Sequence, residues 1–198
     1  MRSRLRQSLS RLKSRVISRD LQDIYLLANQ ESKPAQAHIN FQIHDSSDVL
    51  EIIDQINPLN EQARRFARHR LDAGDKAVIA YDSGLPVFYG WLMFGEIEMT
   101  YGVFLPMPEG IAFAYNLFTA SSHRRRGLMT GFYDFARDYL KSRKYDTLYV
   151  GISTRNNASI SAHLKNGFEK NGYFYTLKLL GTCFTLARFE HAKRFHIS

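Results

Sequence analysis

Residues 112–131 of the chain read AFAYNLFTASSHRRRGLMTG. The apolar run from Ala112 to Thr119 is typical of a buried strand. Residues Arg124–Gly127 form a short basic segment, called the basic turn below, and the apolar positions after it follow helical spacing. The apolar side chains of that helix recur on one face, at Leu128, Phe132, Phe135, Ala136 and Leu140. Residues 146–152 then return to a strand-like pattern. The stretch therefore predicts a β-α-β unit with a basic turn between its first strand and its helix.

The basic turn has the composition of a phosphate site. The first backbone N–H groups of a helix have no partner within the helix, and they lie at the positive end of its dipole. They can therefore hold a phosphate, and Gly127 lets the backbone approach it. Arg124, Arg125 and Arg126 add positive charge, and an arginine can bind phosphate through two donors. On these residues alone, a solvated arginine face beside a helix start explains the run equally well.

The turn resembles the cofactor motif of the GNAT superfamily of N-acetyltransferases. That motif is Arg or Gln, two residues, Gly, one residue, and then Gly or Ala. Arg124, Gly127 and Met129 stand at those positions, with Met129 in place of the small residue. Further residues of the family pattern follow downstream, at Asn156, Ser159, Ala162 and Gly167-Phe168.

The resemblance is strong over residues 112–180 and holds in outline over residues 38–111. It implies an α/β (α+β) fold, a GNAT-like mixed central β-sheet flanked by helices, in the order β-α-α-β-β-β-α-β-α-β-β. The remaining predicted strands lie at 38–43, 77–81, 86–93, 173–180 and 183–188, and the remaining helices at 47–56, 61–71 and 157–165. Asp82, Ser83 and Gly84 indicate a hairpin turn, and residues 95–110 are predicted to be a short strand and a loop. A single GNAT-like acyltransferase domain is expected over residues 38–198.

The resemblance also implies a cofactor, acetyl-CoA, and the residues that hold it. In the family the strand before the turn binds the pantetheine arm through backbone groups, here those of Leu117 and Thr119. The expected cofactor-binding residues are Leu117, Phe118, Thr119, Arg124, Arg125, Arg126, Gly127, Leu128, Met129, Thr130, Asn156 and Ser159. No metal ligand is expected.

The chemistry that the resemblance implies is direct attack of an amine on the thioester, which needs no covalent enzyme intermediate. Cys183 is therefore interpreted as a small buried residue and not as a nucleophile. His163 occupies the position at which many relatives carry a tyrosine that protonates the leaving thiolate, and histidine can donate a proton near neutral pH. Tyr173 and Tyr175 are the alternative acids. The general base is left unassigned.

The predicted function is N-acetyl transfer to the amine of a small molecule, an amino sugar or an amino acid. Thr119 and Gly172-Tyr173 add a narrower resemblance to GNAT proteins encoded with surface-polysaccharide synthesis. Two alternatives stay open. One is an acyltransferase that takes a longer acyl chain from acyl carrier protein, and the other is a non-catalytic module that binds acyl-CoA.

The formal net charge of +8 is concentrated at the start of the chain, since residues 1–19 contain seven Lys or Arg and no acid. An apolar stripe runs through them at Leu5, Leu9, Leu12 and Val16, which predicts a basic amphipathic helix, followed by a polar linker over residues 20–37. This helix could dock on protein, lie on an anionic membrane, bind nucleic acid or serve as a transit peptide.

The rest of the chain is nearly neutral and carries no nucleic-acid motif, so no nucleic-acid partner is expected. A single cysteine and the lack of an apolar run of about 18 residues favour the cytoplasm. Peripheral contact with the inner face of the membrane is the alternative location.

Overall fold

The computed structural model of the chain describes residues 17–27, 38–98, 104–179 and 182–189. Its strands are β1 (Ile17–Leu27), β2 (Ile39–His44), β3 (Lys76–Asp82), β4 (Leu85–Phe94), β5 (Glu96–Glu98), β6 (Phe104–Pro106), β7 (Ile111–Thr119), β8 (Thr147–Ser153), β9 (Phe168–Leu179) and β10 (Thr182–Phe189). Its helices are α1 (Val49–Ile56), α2 (Glu61–Asp72), α3 (Leu128–Lys141) and α4 (Asn157–Lys165). The predicted fold class is confirmed, and the elements predicted from residue 38 onward occur in the predicted order. No helix within these ranges is long and apolar enough to cross a membrane.

The described residues fall into two compact units. The first unit comprises β1 up to Leu26, residues 98–105, and the chain from Gly151 onward, which includes α4, β9 and β10. The second unit comprises residues 38–97 and 106–150, which include both α1 and α2 and the whole β7-α3 segment. The prediction of a single domain from residue 38 onward stays a prediction.

The sheet of the second unit has the strand order β8-β7-β4-β3-β2. Its pairs are antiparallel except β7 with β8, which run parallel because α3 carries the chain back between them. The β3–β4 hairpin turns at Ser83 and Gly84, whose φ angles are 52° and 85°. Two successive positive φ angles match the twist of the flanking strands, so the predicted hairpin turn is confirmed.

Strand β7 contains an irregularity opposite Gly90 of β4. Trp91 pairs with Tyr115 and Tyr89 pairs with Phe118, so two β7 residues stand opposite one β4 residue. Asn116, one of those two, has a φ of 49°. A bulge of this kind bends the strand and turns its following side chains.

Helix α3 packs on the sheet of the second unit through aromatic side chains. Phe132 is fully buried and its ring lies 5.4 Å from that of Phe88. Gly131 allows the helix to approach β2, because a Cβ atom there would lie 2.9 Å from the Phe41 ring. Gly90 plays the same part in β4, since its Cβ atom would lie 2.8 Å from the Phe132 ring. The two glycines therefore set how closely the helix and the sheet pack.

Strand β1 corrects the prediction of a polar linker over residues 20–37. In the first unit the strand order is β10-β9-β1, and Asp23 of β1 accepts an ion pair from Lys170 of β9 at 2.8 Å. Ile24 and Tyr25 are consecutive and both buried, so this strand lacks the alternation by which a half-buried strand is recognised. Residues 17–19, predicted as the end of the basic helix, also lie in β1. The predictions for residues 1–16 and 28–37 lie outside the described residues.

Two further boundaries differ from the prediction. Strand β9 begins at Phe168, five residues earlier than expected, and the described part of residues 95–110 contains two short strands, β5 and β6, where one was expected. Phe168 is buried and follows the turn at Gly167, which has a φ of 79°. The glycine therefore ends the helical segment and lets the strand begin at once.

Candidate functional site

The basic turn joins β7 to α3 by a short 3-10 segment, Ser121–His123, and two left-handed residues. Arg125 has a φ of 63°, and Gly127, the N-cap of α3, has a φ of 75° and a ψ of 9°. The left-handed conformation favours glycine, which explains why Gly127 stands directly before the helix. The carbonyl of Gly127 accepts the first helical hydrogen bond, from Gly131 N–H at 3.0 Å.

The start of α3 has the electrostatics that an anion needs. Gly127 has no side chain to cap the first backbone N–H groups, and the first turn contains no acidic residue. Arg124, Arg125 and Arg126 are all exposed beside it. Leu128 is buried, whereas Met129 and Thr130 are half-buried, so the turn is anchored in the core by one side chain.

Arg124 is oriented by contacts with the end of β7. Its Nε donates to the Thr119 carbonyl at 3.4 Å, and its guanidinium carbon lies 5.9 Å from the centre of the Phe118 ring. The Phe118 ring in turn stacks on Tyr89 at 5.7 Å. A weak cation–π contact on a stacked ring limits the directions that the arginine can take. Phe118 therefore acts as a support for Arg124.

The residues predicted to bind a pantetheine arm begin at the second bulge residue of β7, Leu117, and continue to Thr119. On one side β7 pairs with β4 as far as Thr119. On the other side its parallel pairs with β8 cover Ile111–Ala114 and do not extend to Leu117. The structure therefore brings Leu117, Phe118 and Thr119 together with the basic turn, all within the second unit.

Asn156, Ser159, His163 and Tyr173 lie in the first unit, and the first three are joined by hydrogen bonds at α4. The Asn156 side chain is the N-cap of α4 and accepts from Ser159 N–H at 3.1 Å. His163 is 6% exposed, and its Nδ1 donates to the Ser159 carbonyl at 2.7 Å. The Asn-x-x-Ser pattern is thus explained by helix capping.

His163 is buried against Phe168, with ring centres 5.2 Å apart. Burial lowers the pKa of His163 below its ordinary value of 6.5, although the hydrogen bond to Ser159 acts in the opposite direction. The imidazole is therefore neutral at pH 7, and a neutral imidazole is a poor proton donor. These facts favour a structural role for His163. Tyr173, on β9, is half-buried, and it is the candidate acid that we retain.

A small pocket of about 40 Å³ lies between the α1-α2 pair and the bulged part of β4 and β7. Its wall includes Phe66, Tyr89, Trp91 and Tyr115, and Asn116 of the bulge lines it as well. The pocket was not predicted, because its residues come from three separate parts of the sequence that meet only in the folded chain.

Beneath this pocket lies a buried ionic network. Arg70 and Asp75 are 2% and 0% exposed, and the guanidinium holds the carboxylate through bonds of 2.8 and 3.0 Å. The Tyr115 hydroxyl donates to Asp75 at 2.9 Å, and Arg70 also donates to the Glu96 carbonyl at 3.3 Å. Burial raises the pKa of Tyr115, and the negative charge of Asp75 adds to the rise. Tyr115 is therefore a fixed neutral phenol and cannot act as a base.

Within the described ranges, no group of three His, Cys, Asp or Glu side chains is placed to hold a metal ion. Cys183 lies in β10.

Residues 47–168 match the family model described as "Acetyltransferase (GNAT) family". No curated protein matches the chain in sequence.

Three solved structures share the fold at low sequence identity. A functionally unknown conserved protein of Staphylococcus epidermidis is 10% identical, with a TM-score of 0.55 over 86% of this chain and 66% of its own. The aminoglycoside acetyltransferase AAC(6')-Iy, solved with a CoA-S-monomethyl-acetylneamine bisubstrate analog, is 18% identical, with a TM-score of 0.53 over 68% of this chain and 92% of its own. AAC(6')-Ih of Acinetobacter baumannii is 18% identical, with a TM-score of 0.50 over 67% of this chain and 91% of its own.

Proposed function

The chain belongs to the GNAT acetyltransferase family, and from this premise we propose that it transfers the acetyl group of acetyl-CoA to the amine of a small molecule. Two of the structural neighbours are aminoglycoside N-acetyltransferases, which supports a small-molecule amine as the acceptor. The observation that carries the proposal is the basic turn at the start of α3. An amino sugar or an amino acid is the expected acceptor class.

The residues of the turn fit the diphosphate of coenzyme A. The N-cap of α3 has no side-chain acceptor, its first turn has no acid, and three exposed arginines adjoin it. Backbone N–H groups at a helix start bind phosphate without any further side chain, and the arginines add charge. Gly127 to Thr130 would hold the diphosphate, and Arg124, which contacts Phe118 and the Thr119 carbonyl, would add positive charge beside it. Acetyl-CoA, when bound, supplies the thioester acyl group that the amine receives.

The other predicted site residues have narrower parts in the proposal. The backbone of Leu117 and Thr119 would hold the pantetheine arm, because the β8 pairs of β7 end before them. Asn156 and Ser159 shape the start of α4. Tyr173 is the proposed proton donor to the leaving thiolate, since tyrosine can donate from its hydroxyl. The base is not assigned.

Calorimetric titration of acetyl-CoA into wild type and Gly127→Asp tests the turn. Aspartate tolerates the left-handed conformation and stabilises a helix start, so the thermal midpoint should change little. The same carboxylate repels a diphosphate, so the affinity should fall by about tenfold or more. Arg124→Ala should weaken binding in the same direction.

Gly84→Asp is the matched control for this titration. Gly84 is also left-handed, with a φ of 85°, but lies in the β3–β4 hairpin with no atom within 4 Å of an added Cβ. Acetyl-CoA should bind this variant as it binds wild type. An affinity that Gly127→Asp leaves unchanged would refute the assignment of the turn.

Thiol release with acetyl-CoA and with octanoyl-CoA then measures which donor the enzyme prefers, and we expect acetyl-CoA.

A further inference from the structure

The pocket beside the β7 bulge is walled by aromatic rings. Phe66 meets Tyr115 edge-on at 6.4 Å, and Trp91 lies 6.0 Å from Tyr115. Ile53, on α1, adds an aliphatic side to the same wall and is fully buried. Phe66 is 38% exposed and therefore stands at the entrance. Such a surface gains free energy by removing an apolar group from water.

No residue that lines the pocket carries a charge. The carboxylates around it are already paired. Asp75 is held by Arg70, and Arg64 pairs with both Glu51 and Asp54. A polycationic acceptor would therefore find no unpaired carboxylate among the residues that form this wall.

The hydroxyl groups of the wall are also engaged. The Tyr115 hydroxyl donates to Asp75, and the Tyr89 hydroxyl accepts from Asn57 at 3.3 Å. A sugar carries several hydroxyl groups, and each loses hydrogen bonds to water when it enters such a wall. The Asn116 amide is the remaining polar side chain of the lining, so an amino sugar would find few hydrogen-bond partners for its several hydroxyl groups.

The position of the pocket relates it to the acyl donor. Asn116 lines the pocket, and the next residue along β7 is Leu117, whose backbone would hold the pantetheine arm. A group in the pocket would thus lie beside the strand that presents the donor. We infer that the acceptor is an amine carrying a short apolar group, a branched alkyl chain or the edge of an aromatic ring, and that this group enters the Phe66–Trp91–Tyr115 pocket. This inference rests on the proposed acetyl transfer.

The size of the pocket limits the group to a few atoms. A cavity needs roughly 10–15 Å³ to hold one water molecule, so 40 Å³ accommodates a group of about three or four carbon atoms. The tip of 3-methylbutylamine matches this size. Glucosamine is the polar comparison.

Trp91 gives a direct readout of binding, because it is the only tryptophan in the chain and lies in the pocket wall. Titration with 3-methylbutylamine should change its fluorescence in a saturable manner, whereas glucosamine should not. In a thiol-release assay with saturating acetyl-CoA, the KM for 3-methylbutylamine should be at least about tenfold below that for glucosamine.

Three variants test whether the wall recognises the acceptor. Phe66→Ala should raise the KM for 3-methylbutylamine by about tenfold with kcat within about twofold, because it removes binding contacts only. Phe66→Leu keeps an apolar wall and should restore most of the affinity. Leu85→Ala removes a more exposed apolar residue, 68% exposed in the hairpin outside the pocket lining, and should change neither constant.

The outcomes separate the two proposals. If acetyl-CoA binds but glucosamine has the lower KM, or if Phe66→Ala leaves the KM for 3-methylbutylamine unchanged, the acceptor inference is overturned and acetyl transfer stands. If calorimetry shows no binding of acetyl-CoA, the proposed function fails and the inference fails with it.

Discussion

Arg70 and Asp75 form an ion pair in which neither residue is more than 2% exposed. Removing one partner of such a pair leaves the other charge buried without compensation. We expect Asp75→Asn to lower the free energy of unfolding by about 3–5 kcal/mol, measured by urea denaturation. The variant also weakens the support of Tyr115, so the pocket wall should loosen.

Arg65→Met is the control, at an exposed ion pair on α2, the helix that carries Arg70. Arg65 lies 3.6 Å from Glu61, with side chains 74% and 67% exposed. Exposed pairs contribute at most about 1 kcal/mol, so this variant should unfold almost as wild type does. Equal losses of unfolding free energy for Asp75→Asn and Arg65→Met would contradict a stabilising role for the buried ion pair.

His163 makes stability depend on pH. Its pKa in the folded chain lies below the ordinary value of 6.5, mainly because of burial. Between these two pKa values the unfolded chain binds more protons, so the free energy of unfolding falls as the pH falls below about 6.5. His163→Gln cannot take up this proton. Urea denaturation from pH 7.5 to pH 5 should therefore show a steeper loss of unfolding free energy for wild type than for the variant. Parallel plots of unfolding free energy against pH would contradict this role of His163.

The residues of the site differ in how well the sequence indicates them. The basic turn is contiguous, so its arginines and Gly127 can be recognised from their spacing alone. Tyr115 and Asp75 are forty positions apart, and their contact depends on the packing of α2 against β7. His163 was predicted as a proton donor, and only the structure shows its burial.

Helix α3 approaches β4 at Gly90 and β2 at Gly131, because neither residue has a side chain. An alanine at Gly90 would place its Cβ atom 2.8 Å from the Phe132 ring, which is fully buried and cannot move aside. Overpacking of this kind costs about 1–3 kcal/mol. Gly90→Ala should therefore lower the thermal midpoint clearly.

Gly131→Ala is the matched comparison within α3. Its Cβ atom would lie 2.9 Å from the far end of the half-buried Phe41 ring, which has room to shift. Alanine also favours a helix by about 1 kcal/mol over glycine. The free energy of unfolding should stay within about 1 kcal/mol of wild type. A larger loss of unfolding free energy for Gly131→Ala than for Gly90→Ala would contradict the expectation that the Phe132 contact is the less tolerant of the two.

Elements with clear periodicity were predicted well, and β1 was not. The amphipathic stripe of α3 and the hairpin turn of β3 and β4 are local patterns, so the sequence suffices for both. The buried pair Ile24 and Tyr25 has no such pattern, because the two faces of β1 are covered at the same point. Its existence depends on pairing with β9, which lies far along the sequence.

Across the whole chain the excess of positive charge is concentrated in the sequence of residues 1–19. Deleting residues 1–16 removes six basic side chains and no acidic one, which leaves a formal net charge of about +2. Each Lys or Arg near an anionic membrane contributes about 1 kcal/mol to binding. We expect the full chain to associate with phosphatidylserine vesicles and the truncated chain to lose that association, as measured by sedimentation.

The truncation keeps β1 and the basic turn, so its affinity for acetyl-CoA should remain that of the full chain. High salt should weaken the vesicle association of the full chain, because surface charges are screened. Unchanged association after deletion would contradict a membrane role for the basic segment.

The left-handed conformation of Arg125 sets the stability of the folded chain against the positive charge of the basic turn. A residue with a side chain loses about 1–2 kcal/mol in this conformation, and glycine would recover much of it. The same replacement would remove one positive charge from the basic turn. Selection for heat tolerance would therefore favour glycine at this position, whereas selection for donor affinity at low coenzyme concentration would retain arginine.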